Sequence, residues 1–161
     1  LSQGLLFDGR TAEDFKLSTG TFVSVGPLRA RAITMGAPYV QDVVVTGLNR
    51  DEMGLLIFPR LDTCTQLAGL PVGSPLADVL ARPTVVARFQ QLVDELWAAG
   101  TGSANRPARL HVLLDPPSID KGEVTDKGST NQRAVLTHRA ALVEDFHSQS
   151  PRIAVLLPRR A

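Results

Sequence analysis

One cysteine stands in 161 residues. An intrachain disulfide needs two, so Cys64 excludes a disulfide framework and fits a reducing compartment; the cytoplasm is the expected location. Nothing near Cys64 resembles a thiol-activating site, and it reads as a small buried hydrophobe. A dominant charge sign is lacking too. Seventeen Lys and Arg against sixteen Asp and Glu leave a net charge of +1, so no bulk field favours nucleic acid or an anionic membrane, and neither is expected as a partner. No apolar run approaches the roughly 18 residues of a membrane span. The opening residues lack the charged-then-apolar pattern of a secretory leader. Glycine-rich phosphate cradles of the Walker or dinucleotide type do not occur, nor does a Gly-x-Ser-x-Gly elbow. His138 and His147 have no second ligand at useful spacing, so no metal site is expected.

The length suits one domain with a real core. The chain begins on Leu1 and passes at once into Leu5-Leu6-Phe7-Asp8-Gly9-Arg10, where a frayed polar lead is usual. The expectation is a piece of a longer protein. Gly20 separates Phe15–Leu17 from Thr21–Val25 as a hairpin. Pro27 suits the first turn of a short helix through about Met35, with Leu28, Ala32 and Met35 inward. Val40–Val45 and Met53–Phe58 are apolar, β-branched runs around a wide turn and predict buried paired strands. The Gly- and Pro-rich stretch 61–83 reads as a surface excursion carrying one short capped helix, Ser74–Leu80. Thr84–Ala99 repeats Val85, Phe89, Leu92, Val93, Leu96 and Trp97 at helical spacing, closed by Gly100; Trp97 is expected in the core. Leu110–Leu114 predicts a third strand in which His111 has a satisfied ring. Ala134–Phe146 predicts one last helix, and Ile153–Leu157 an edge strand. There is no internal repeat.

Two polar loops stand apart from this scaffold. Gly122-Glu123-Val124-Thr125-Asp126-Lys127-Gly128-Ser129-Thr130-Asn131-Gln132-Arg133 is polar except at Val124 and offers no residue for a core. Lysine before glycine, among small hydroxyl residues, is a mobile cation that an anion can approach. On local residues alone it also reads as a solvated loop ending in a helix N-cap. The other is Phe7 to Thr21, with Arg10, Lys16 and Gly20; its adjacent carboxylates Glu13 and Asp14 read as a solvated charge cluster. Neither loop holds a complete catalytic set.

Together the loops resemble the carboxy-terminal domain of an AMP-forming acyl-CoA synthetase, of the adenylate-forming ligase superfamily. Phe7-Asp8-Gly9-Arg10 and Glu13 to Thr21 resemble the Gly-Arg motif that opens that domain. The wording through Val23-Ser24-Val25-Gly26-Pro27-Leu28-Arg29-Ala30 is similar to bacterial feruloyl-CoA synthetases. Gly122 to Arg133 is the later match, and it covers the family's adenylation lysine at Lys127. The resemblance implies an α+β fold, an N-terminal hairpin followed by a sheet of about three strands packed with helices. It implies residues 1–26 as a hinge-proximal hairpin and 27–161 as the body of one mobile domain, with a large amino-terminal domain outside this chain.

The implied reaction has two steps. A carboxylate, here of an aromatic hydroxycinnamoyl type, attacks the α-phosphorus of ATP to give acyl-adenylate and pyrophosphate; the thiol of CoA then displaces AMP. Lys127 would bridge the carboxylate and phosphoryl oxygens, lowering the repulsion between two anions. Arg10 and Lys16 would lie beside the nucleotide or adenylate, and Gly20 beside CoA after the domain rotates. ATP with Mg2+ and CoA belong to the full-length enzyme, and this chain alone is expected to bind none and to be inactive. The family's hinge falls on Ala12, with Glu13 the alternative because the loop before Gly20 is one residue longer. Glycine follows Lys127 rather than preceding it, and Lys121 is the competing lysine. A ligase for a non-aromatic acid and a free-standing protein-interaction module are the alternative readings.

Overall fold

A computed structural model describes residues 14–102, 104–125 and 127–159. Arg10, Ala12 and Glu13 lie outside them. Two strands, β1 (Phe15–Lys16) and β2 (Phe22–Val23), pair antiparallel as Phe15 with Val23 and Lys16 with Phe22. The second strand is shorter than expected because Asp14 Oδ1 accepts the Val25 N–H at 2.8 Å. That contact starts helix α1 at Val25 and carries it to Gly36, two residues ahead of Pro27. Asp14 is therefore a structural acceptor, not a merely solvated charge. Leu28 and Ala32 are buried on α1, and Met35 packs against the same core.

The main sheet has the order β3–β4–β5, with β3 at Val40–Thr46, β4 at Gly54–Pro59 and β5 at Arg109–Val112. β3 and β4 are antiparallel, whereas β4 and β5 are parallel. Successive strand residues face opposite sides, and here both sides are covered. Val43, Val45, Leu55, Ile57 and Leu110 enter a core with α1 and the crossover helix Pro83–Ala99. Val44, Leu56, Phe58 and Leu113 enter a second core with Val135, Val143 and Phe146. Burial on both faces explains why these strands are continuous apolar runs instead of alternating ones.

Between β4 and β5 the chain makes α2 (Leu61–Ala68), α3 (Leu76–Ala81) and α4 (Pro83–Ala99). The expected surface excursion is thus largely helical. Cys64 and Val79 are fully buried in the first core. Two β-branched threonines obscured α2; Thr65 Oγ1 bonds back to the Leu61 carbonyl at 2.7 Å, and Gly69 ends the helix at φ 72°. α3 lacks its expected side-chain cap, since Pro75 occupies that position. Trp97 is half-buried rather than core, with the Arg106 guanidinium 5.1 Å from its ring centroid. His111 has its ring satisfied, with Nδ1 2.6 Å from the Ala154 carbonyl. The edge strand at 153–157 reduces to one bridge, Leu110 with Leu156.

The expected last helix is two, α5 (Gln132–His138) and α6 (Ala140–Phe146), broken at Arg139. Among the described residues no helix is long and apolar enough to cross a membrane.

Candidate functional site

The polar run folds back on itself. Val124 and Thr130 form an antiparallel bridge, the Thr125 N–H donates to the Ser129 carbonyl at 2.8 Å, and Gly128 N–H donates to the Thr125 carbonyl at 2.9 Å. The Thr125 and Ser129 hydroxyls share a 2.8 Å hydrogen bond. Gly128 takes φ 83°, a left-handed conformation that disfavours any residue with a Cβ. Lys127 stands at the tip of this small hairpin. It is exposed, and no hydrogen bond or ion pair holds its ammonium group among the described residues.

The base of the hairpin is buried, which corrects the expectation that the run has no packing role. Glu123, Thr130 and Gln132 are 0%, 7% and 2% exposed. Gln132 Oε1 accepts the Val45 N–H at 3.0 Å, fastening the start of α5 to β3. The Thr130 N–H donates to Asp42 Oδ2 at 3.0 Å, and Arg29 Nη2 donates to Asp42 Oδ1 at 3.0 Å. Burial would raise the Asp42 carboxyl, but the Thr130, Arg29 and Val43 contacts prevail and hold it below its usual range.

Glu123 makes the most connected contact. Its carboxylate accepts from Ser118 N–H at 2.7 Å, from Arg139 Nε at 2.9 Å and Nη2 at 3.0 Å, and lies 2.9 Å from His138 Nδ1. Arg139 also donates to the Asp115 and Pro116 carbonyls. Burial would raise the Glu123 carboxyl, yet these donors outweigh it and bring it down to about 2. Every acceptor site is used for scaffolding, so Glu123 is no general base. Sequence reading missed this residue, because a glutamate after glycine in a polar run reads as solvated until the fold brings Arg139 beside it.

Lys121 is also exposed, outside the hairpin, with its N–H 3.2 Å from Ser118 Oγ. A shallow groove of about 340 Å3 runs between Lys121, Asn131, Arg133, Thr137 and His138. It gives the base of the hairpin a mainly basic rim.

Gly20 and Lys16 lie elsewhere. Both are exposed in the β1–β2 hairpin, which rests on the β3–β4 turn: Ser18 N–H donates to the Arg50 carbonyl at 2.8 Å, and Ser18 Oγ to Asp51 Oδ1 at 2.6 Å. Gly20 has φ 88° and nothing within 4 Å of where a Cβ would stand. Backbone conformation, not crowding within this chain, therefore explains the glycine. The Lys127 hairpin is rooted at Asp42, near the start of β3, and the Gly20 turn beyond its end. The structure brings Lys16 and Gly20 into one hairpin, and the start of that hairpin, Asp14 and Phe15, shares a cavity of about 330 Å3 with Val45, Gln132 and Arg133 at the foot of the Lys127 run. Among the described residues no group of three or more His, Cys, Asp or Glu side chains is placed to hold a metal ion.

No protein-family model and no curated protein matches the chain. Solved structures do. The A-PCP didomain of a carboxylic acid reductase from Segniliparus rugosus, in complex with AMP, matches 84% of this chain at 23% identity, with TM-score 0.57. The A domain from the same organism, with AMP and a co-purified carboxylic acid, matches 84% at 24% identity and TM-score 0.56. The adenylation domain of a carboxylate reductase from Mycobacterium chelonae matches 84% at 24% and 0.57. These likenesses show the fold: a small hairpin, a three-stranded sheet and helices, as found within adenylate-forming domains. The chain spans 17%, 20% and 19% of those structures' chains.

Proposed function

We propose that this chain is the small mobile carboxy-terminal domain of an ATP-dependent acid–CoA ligase, residues 1–26 lying next to the hinge and 27–161 forming the body. Its large amino-terminal domain would hold ATP, Mg2+ and a hydroxycinnamoyl-type acid. The observation that carries the reading is Lys127: a lysine between hydrogen-bonded Thr125 and Gly128, exposed and unpaired among the described residues. The fold, found with AMP and a co-purified carboxylic acid in one matched structure, supports it.

In the first step a carboxylate oxygen bonds to the α-phosphorus and pyrophosphate leaves with the electrons of the bridging bond. The Lys127 ammonium group would stand between the two anions and stabilise the charge that they share. Arg10 and Lys16 would lie towards the nucleotide, with Ala12 or Glu13 as hinge. In the second step the sulfur of CoA attacks the acyl carbon, and AMP leaves as its phosphate takes back the electron pair. Gly20 would face CoA in that pose.

A second reading keeps the adenylation and changes the acceptor. The matched structures belong to carboxylic acid reductases, which favours an acyl group passed to something other than CoA. One experiment separates the cases. In the full-length protein Lys127→Ala is expected to lower acid-dependent ATP–pyrophosphate exchange by about 10²-fold or more, while thioester formation from supplied acyl-adenylate and CoA survives. Exchange at the wild-type rate would overturn the assignment. Normal exchange in the wild type with no CoA-dependent AMP release would select the second reading.

A further inference from the structure

Lys127 stands at the tip of its hairpin, and beyond the ties of Thr130 and Gln132 to β3 one residue holds the hairpin's base. Glu123 grips both stems of the hairpin. Through its backbone, its N–H donates to the Ser118 carbonyl at 2.9 Å and its carbonyl accepts the Asn131 N–H at 2.7 Å. Asn131 in turn caps α5 by accepting the Ala134 N–H at 3.2 Å. Through its side chain, Glu123 binds Ser118 before the hairpin and Arg139 after it. Arg139 is the residue where α5 gives way to α6, and its guanidinium lies 5.2 Å from the centroid of Phe58, a fully buried residue of β4. This buried carboxylate thereby ties the base of the Lys127 hairpin to Arg139 and Phe58, on top of the ties that Thr130 and Gln132 make to β3.

We propose that Glu123 is a positioning residue for Lys127: its carboxylate, clamped by Arg139 and the Ser118 N–H, fixes where the lysine presents its charge. This rests on the adenylation role given to Lys127 above. The chemistry explains the choice of residue. A carboxylate accepts from all these donors at once, whereas a glutamine amide nitrogen must turn a donor towards one of them. A neutral replacement also leaves the Arg139 cation without its buried partner.

Glu123→Gln tests this in two measurements. In this chain, amide hydrogen exchange at Thr125, Gly128 and Asn131, all bonded within the hairpin or to its base, should speed up about tenfold or more, with Leu110 and Leu156 protected as in the wild type. In the full-length protein the adenylation turnover should fall by about 10²-fold, as small misplacements of reacting groups do. The KM for ATP should change little, and thioester formation from supplied adenylate should persist. Should Glu123→Gln fail to fold, Glu123→Asp keeps the charge but shortens the reach and is judged by the same readouts. Adenylation at the wild-type rate overturns the inference whether or not the hairpin loosens, and so does slowed adenylation with hairpin exchange unchanged. Lys127→Ala serves as the control. If that variant adenylates normally, the role of Lys127 falls and the positioning inference with it, while the exchange data still report whether Glu123 anchors the hairpin.

Discussion

His147 and Glu123 are both titratable groups moved by their surroundings, and both make the folded chain weaker in acid. Burial, reinforced by Arg50 and Arg109 and only partly opposed by Glu144, brings the His147 ring down from 6.5 to about 4. Between those values the unfolded chain binds a proton that the folded one refuses. Stability is therefore full above about pH 6.5 and falls as pH drops towards 4. His111 is lowered as well, by burial, and acts in the same direction. Glu123 acts lower down: its carboxyl goes from 4.5 to about 2, so its contribution is present above pH 4.5 and is lost as pH falls through 2. Urea midpoints of this chain should decline from pH 7 to 4, and His147→Gln should shallow that slope without altering the loss below pH 4. A wild-type midpoint that is level from pH 7 to 4.5 would contradict the account. Single residues were unevenly legible. His111 within an apolar strand announced a satisfied ring, and Cys64 announced a buried thiol, now pushed up to about 11 mainly by burial. Glu123 announced nothing, because its partner lies sixteen positions on and is aligned only by the turn at Ser118 and the break at Arg139.

Elements were legible where one local signal sufficed. β3 and β4 were plain because both faces are buried, so every position repeats the same apolar requirement. α4 was plain because five buried side chains recur at helical spacing. α2 was hidden, since its burial rests on Cys64 and Thr65 amid polar neighbours. The α5–α6 break was hidden for a different reason: Val135, Leu136, Leu142 and Val143 keep a helical rhythm across it, while Arg139 is drawn to Glu123 and to two carbonyls. The packing of α6 on the sheet rests on Gly54, where an added Cβ would stand 2.5 Å from Phe146 Cε2 and 2.7 Å from Arg109 Cγ. Phe146 is fully buried, and Arg109 is tied to the Phe146 carbonyl at 2.7 Å, so neither retreats easily. Gly54→Ala should destabilise the chain by about 1–3 kcal/mol, as overpacking does. Chemical denaturation would show it. A variant as stable as the wild type would mean that α6 shifts freely on the sheet.

Across the whole molecule, the two loops that drew attention in the sequence share one strand as their support. The Lys127 run is held at Asp42 and Val45, through Thr130 and Gln132, and the Gly20 hairpin by the turn after Thr46. The sequence revealed both loops but not that they share β3, which the chain brings about only on folding. A rigid body with its anchors so placed can offer each loop to the same reacting centre in a different orientation, and the proposed rotation between half-reactions takes that form. The two loops should then fail separately. In the full-length protein Gly20→Leu should slow thioester formation and leave ATP–pyrophosphate exchange near the wild-type rate, the reverse of Lys127→Ala. The leucine is strained at φ 88° by about 1–2 kcal/mol, but it meets nothing within this chain. A core built on both faces of the sheet should absorb that cost, and circular dichroism would confirm that the variant is folded. If folded Gly20→Leu and Lys127→Ala proteins both lost the same half-reaction, the loops would serve one pose, and rotation of this domain between steps would be the wrong account of why the chain carries two such loops.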